Sequence, residues 1–131
     1  MQRRTYLKTI LAAGAAAPFA SAADPAAHGI QLHVDLTVDP AKEQEMLKNF
    51  HGVFKPAATK HPGYIDVQMV KLRSAVMGKA PEGMNYRFVL TFKSEELRQK
   101  WVASDVHQKV WPTIENTLKN KNYTVLLFDI A

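Results

Sequence analysis

Tyr86-Arg87-Phe88-Val89-Leu90-Thr91-Phe92, followed at once by Lys93-Ser94-Glu95-Glu96, is the stretch that decides the fold. Tyr86, Phe88, Leu90 and Phe92 alternate with Arg87, Val89 and Thr91, the period of a strand with one wholly apolar or aromatic face. Ser94 then offers a hydroxyl cap, and Glu95 and Glu96 put two acids in the positive first turn of a helix. The buried side of that helix carries Leu97, Trp101 and Val102. A second strand-helix unit lies upstream. Residues 30–38, Ile-Gln-Leu-His-Val-Asp-Leu-Thr-Val, alternate without a miss and leave Gln31, His33, Asp35 and Thr37 on the polar side. Asp39-Pro40 supplies a cap oxygen and a proline at the first helical position, and Met46, Leu47, Phe50, Val53, Phe54 and Ala57 follow at helical spacing. Pro56 is expected to end or kink that helix near Phe54 or Lys55, because it lacks an N–H and crowds the preceding turn.

Working outward, His61-Pro62-Gly63 reads as a turn, Tyr64 to Ser74 as a strand, and 75–85, with Gly78, Pro81 and Gly83, as a loop. Ser104-Asp105 starts a further helical segment on which Val106, Val110, Ile114 and Leu118 recur every four residues, with Pro112 breaking its regularity. Tyr123 to Ile130 closes the chain as a strand expected to be fully buried or apolar on both sides. The order is βαββαβ, an α+β ferredoxin-like fold with an antiparallel sheet and helices on one face. The other face of the sheet also carries apolar residues, so a second subunit is expected to cover it, making a homodimer.

The chain has 131 residues, 47% hydrophobic and 22% charged, the composition of one globular domain. It has no cysteine, which excludes disulfides, thiolate metal sites and a thiol nucleophile. Arg3, Arg4 and Lys8 hold three of the 17 cations, so from residue 24 onward 14 Lys and Arg face 12 Asp and Glu and the net charge is only +2. That is too weak a field for a nucleic-acid footprint. Arg3-Arg4-Thr5-Tyr6-Leu7-Lys8, an apolar run to Phe19 and Ala20-Ser21-Ala22 form a signal peptide over 1–22, with a small-x-small cleavage site. Its Arg3-Arg4 pair resembles a twin-arginine export signal, and the run falls short of the about 20 strongly apolar residues of a stable membrane anchor. The reading is therefore a flexible approach over 23–29 and a domain over 30–131, exported to the periplasm or the extracellular space.

Val89-Leu90-Thr91-Phe92-Lys93-Ser94 and Trp101-Val102-Ala103-Ser104-Asp105-Val106, with the Pro62-Gly63-Tyr64 turn, resemble the antibiotic biosynthesis monooxygenase domain, most closely its heme-degrading branch. The stress-responsive α/β-barrel domain is similar too, with a histidine on its final helix and an aspartate near the end of its last strand, here Asp129. Both resemblances imply a dimeric α/β barrel with a pocket between helices and sheet in each subunit. The first implies oxidation of a small phenolic or quinol-like aromatic by molecular oxygen without a bound cofactor; the second, a non-catalytic module holding a small apolar ligand or heme. Of the residues the heme branch uses, the tryptophan is present as Trp101, while its iron-ligating histidine falls on Trp111 and its asparagine at or beside Val34. His107, one helical turn before Trp111, is the nearest substitute ligand.

His107 is the candidate catalytic base, because its intrinsic pKa near 6.5 suits it to take a phenolic proton. The plain alternative is a partly exposed helix histidine. Trp101, Trp111 and Arg87 are the candidate substrate-binding residues. Trp101 also reads as a core aromatic, Trp111 as the wall of an aromatic pocket, and Arg87 and His33 as a surface pair or as groups facing the interface or pocket. Tyr64, Tyr86 and Tyr123 read as sheet-edge aromatics, and no set of histidines and carboxylates shows metal-ligand spacing.

Overall fold

The computed structural model describes residues 28–131; the leader 1–22, with Arg3 and Arg4, and all but the last two residues of the 23–29 segment lie outside them. Four strands, β1 (Ile30–Leu36), β2 (Tyr64–Lys71), β3 (Tyr86–Phe92) and β4 (Thr124–Asp129), form one antiparallel sheet in the order β2-β3-β1-β4. The helices are α1 (Glu43–Asn49), α2 (Lys55–Thr59), α3 (Glu95–Ala103), α4 (Asp105–Val110) and α5 (Pro112–Glu115). This is the βαββαβ order and the α+β, ferredoxin-like fold that the alternation predicts.

The two strands with the strictest alternation lie side by side at the centre. Leu32 pairs with Leu90, and Val34 with Phe88, across β1 and β3. On both strands burial alternates residue by residue, so one face is sealed by helices while Gln31, His33, Asp35, Arg87, Val89 and Thr91 stand on the other. The helix caps fall on the expected residues. Asp39 accepts from the Ala41 N–H, Ser94 from Leu97 and Ser104 from His107.

Five local expectations are corrected. Pro56 does not end the first helical region near Phe54. The chain widens instead into a π-helical turn over Phe50–Phe54, in which the Lys55 N–H donates to the Phe50 carbonyl, and regular helix resumes through Thr59. The widening relieves the turn that a proline would crowd. The first strand stops at Leu36 rather than residue 38, because the Asn85 side-chain amide takes both the N–H and the carbonyl of Val38 at 2.8 Å. Likewise, the second ends at Lys71 instead of Ser74.

Val106 is 47% exposed and does not belong to the buried stripe; the inward positions of the last helical region are His107, Val110, Trp111 and Ile114. The helix restarts at the Ser104 cap, which sets a new phase. Finally, β4 is not buried in the single chain. As an edge strand beyond the reach of the helices it leaves Val125, Leu126, Leu127 and Phe128 roughly half exposed.

The turn ahead of β2 needs a glycine. Gly63 has φ +92°, and a Cβ there would lie 2.7 Å from Leu97 Cδ1 and 2.8 Å from Leu97 Cβ on α3. Gly63→Ala is expected to lower stability by about 2 kcal/mol through backbone strain and the clash together. Gly52→Ala, in the π-helical turn with open space around it, is expected to be neutral or stabilising. Urea unfolding of the two variants checks both.

Candidate functional site

Between the inner face of the sheet and the last helices lies a cavity of about 150 Å³. The sheet contributes Leu32, Val34, Phe88, Leu90 and Val125; the helical side contributes Phe54, Trp101, Val102, His107 and Trp111, with Tyr123 closing one end. A cavity of this size accommodates a single benzene-sized ring. Among the described residues no Lys, Arg, Asp or Glu lines it, so its walls favour a neutral occupant.

Three of the four candidate residues meet here. His107 sits between the two indoles, its ring centroid 5.3 Å from Trp101 edge-on and 6.3 Å from Trp111 in near-parallel stacking. Phe54 touches all three, at 5.8 Å from Trp101, 6.3 Å from His107 and 6.0 Å from Trp111. Ser104 fixes the spacing of Trp101 and His107. Its hydroxyl donates to the Trp101 carbonyl at 2.7 Å and accepts from the His107 N–H at 3.2 Å. One residue thus ends α3, starts α4 and joins the two side chains through backbone.

Arg87 is the exception, and its expected place in the pocket is corrected. It alternates with Phe88 on β3, so the strand period turns it to the opposite side of the sheet, where its Nε donates to Asp35 Oδ1 at 2.6 Å. His33 shares that outer face, with Nε2 2.7 Å from Gln31 Oε1 and its ring 4.7 Å from Phe128. Two site residues escaped the sequence reading. Tyr123 was assigned to a sheet edge and Phe54 to core packing, and neither spacing to His107 carries a motif.

The polar groups of the cavity divide into satisfied and orphaned. Trp111 Nε1 donates to the Tyr123 hydroxyl at 3.2 Å, and that hydroxyl donates to Glu115 Oε2 at 2.7 Å. Trp101 Nε1 and His107 Nδ1 are buried with no partner among the described residues. A buried donor or acceptor left unmatched costs about 1–3 kcal/mol, so a ligand oxygen that reached either nitrogen would gain a bond the protein alone does not make. Burial pushes the His107 pKa below its ordinary 6.5, and the positive charge of Arg98 pushes it further the same way. The imidazole is therefore neutral at pH 7 and able to accept a proton.

Among the described residues no three His, Cys, Asp or Glu side chains converge as a metal site. The cavity of about 150 Å³ is small beside the roughly 300–1,000 Å³ of ordinary cofactor pockets, and the resemblance to the heme-degrading branch puts its iron-ligating histidine on Trp111.

Neither a family model nor a curated protein matches the sequence. Solved structures do match in fold. A dimeric ferredoxin-like protein of unknown function from Jannaschia superposes with a TM-score of 0.65 at 14% identity, covering 78% of this chain and 99% of that one. A protein from Caulobacter crescentus, described as a candidate antibiotic biosynthesis monooxygenase, gives 0.62 at 19% identity, covering 79% and 91%. SnoaB, a cofactor-independent oxygenase from Streptomyces nogalater, gives 0.60 at 12% identity, covering 78% and 92%. At these identities the likeness establishes the fold alone: the chain has a ferredoxin-like fold that it shares with these proteins.

Proposed function

We propose that this chain is an exported, cofactor-independent oxygenase that oxidises a small, neutral phenol or quinol with molecular oxygen. The observation that carries the reading is a largely buried histidine held between two indoles in a ring-sized apolar cavity. The fold shared with SnoaB, itself a cofactor-independent oxygenase, supports it. The Arg3-Arg4 pair at the start of the leader supports export.

In this reading the phenolic O–H gives its proton to His107. The resulting phenolate is a far better one-electron donor than the phenol, and it passes an electron to oxygen to give a phenoxyl radical and superoxide. Their recombination forms a carbon–oxygen bond on the ring, and the His107 imidazolium returns its proton to the peroxide. Loss of water from that peroxide leaves a quinone, so one phenol and one O₂ become one quinone and one H₂O. Trp101 and Trp111 hold the ring in place, and the apolar walls exclude water from the radical pair.

The working unit is a homodimer. The outer face of the sheet and the edge strand β4 leave Val70, Leu126, Leu127 and Phe128 roughly half exposed beside the Arg87–Asp35 pair, an apolar surface that a second copy would cover. The Jannaschia protein of the same fold is dimeric. Sedimentation velocity is expected to find a dimer for the wild type and a folded monomer for Phe128→Glu; a monomeric wild type contradicts the assembly.

Oxygen uptake against a panel of hydroquinones and single-ring phenols, with chelator present, tests the chemistry. Turnover is expected to rise with pH through the lowered His107 pKa, below 6.5, and then level off, because only the neutral imidazole accepts the proton. His107→Gln is expected to lose about 100-fold or more. Saturable binding without uptake across the panel overturns the oxygenase and leaves a non-catalytic ligand-binding module.

A further inference from the structure

Trp111, which the reaction above uses only to hold the ring, makes a chain with Tyr123 and Glu115. The Trp111 indole forms part of the cavity wall and lies 6.0 Å, ring to ring, from Tyr123. Its Nε1 donates to the Tyr123 hydroxyl, which in turn donates to Glu115 Oε2 at 2.7 Å. Tyr123 and Glu115 are only half buried, so the chain leads from the cavity to solvent. On its inner side it is continuous with Trp101 through Phe54 and His107.

We propose that Trp111, Tyr123 and Glu115 form a relay that carries an oxidising equivalent out of the cavity to the protein surface. A one-electron oxidant of the oxygen-radical class, formed in the cavity, takes an electron from the Trp111 indole and is itself reduced. Tyr123 returns an electron to the indole radical cation while its phenolic proton moves along the hydrogen bond to the Glu115 carboxylate. The products are a neutral indole, a neutral tyrosyl radical and a protonated carboxyl; no bond between heavy atoms forms or breaks. A phenol yields its electron readily only if its proton leaves at the same time, because the phenol radical cation is a strong acid. Glu115 is the base placed for that proton. Burial and the Glu115 hydrogen bond hold the Tyr123 pKa above its ordinary 10, so the hydroxyl still carries the proton at neutral pH. The relay would drain a stray radical from the site before it damaged the walls.

Tyr86 is a built-in control. Its hydroxyl also donates to a carboxylate, Glu43 Oε2 at 2.6 Å, but none of the described aromatic rings lies within stacking range of it. A hydrogen-bonded tyrosine alone is therefore not the relay; the adjoining indole is required.

The source of the oxidant rests on the proposed oxygenase reading, but the test does not. Azide radicals made by pulse radiolysis oxidise tryptophan selectively, without substrate or oxygen turnover. In the full chain the indolyl absorbance is expected to decay in a first-order, concentration-independent step as tyrosyl absorbance grows. Tyr123→Phe is expected to abolish that step, Glu115→Gln to slow it several-fold while keeping a hydrogen-bond acceptor, and Tyr86→Phe to leave it unchanged, with thermal unfolding confirming that each variant is folded. Transfer at the wild-type rate in Tyr123→Phe or Glu115→Gln, or no first-order phase in the wild type, overturns the relay and leaves the oxygenase reading standing.

Discussion

Phe54 sits where the sheet, the first helical region and the last helices meet. Its ring lies 5.2 Å from Phe88 on β3, 5.8 Å from Trp101 and 6.0 Å from Trp111, nearly perpendicular to each. Edge-to-face contacts of this kind each contribute about 0.5–1.5 kcal/mol beyond the area they bury, and together they fix orientation as well as distance. The cavity depends on that fixing. Four aromatic rings that met face to face would collapse into a closed stack, whereas perpendicular rings leave a ring-sized gap between them. The π-helical turn ending at Phe54 is part of the same arrangement, since it accommodates Pro56 without turning Phe50 or Phe54 out of the core.

The electrostatics of the site follow from what the packing excludes. Two effects act on His107, loss of water and the charge of Arg98, and both disfavour the imidazolium, burial being the larger. Arg98 is itself tied to Glu95 by two hydrogen bonds of 2.6 and 2.7 Å, which weakens its reach. Nothing among the described residues pairs with His107 to favour its charged form. The outcome is a base that stays neutral until a ligand proton arrives, in surroundings where a charge pair formed on transfer is poorly screened.

Much of this was legible in the sequence because the deciding patterns are local. Alternation in β1 and β3, and the caps at Asp39, Ser94 and Ser104, each need only a few neighbouring residues to be read, and the topology follows from their order. The site was legible in part. Trp101, His107 and Trp111 share one side of the last helices through i, i+4 spacing and the restart at Ser104. Arg87 was read both as a substrate-binding residue and as a surface pair, and the strand period that sets it opposite Phe88 decides for the second, with Asp35 as the partner. Tyr123 and Glu115 were out of reach, since their link to Trp111 arises only when β4 folds back beside β1. The edge strand was misjudged for a related reason: its apolar residues match a buried strand, but burial depends on what lies over it, and no helix does.

The central claim is that the aromatic cavity around a neutral His107 is where a ligand acts. The most direct measurement is an NMR titration of the His107 ring against pH, with and without a saturating single-ring phenol. The account predicts a midpoint below 6.5 that falls further when the phenol binds, because a phenol hydroxyl donates to the neutral imidazole and not to its protonated form. A midpoint at or above 6.5 that no phenol moves would contradict it.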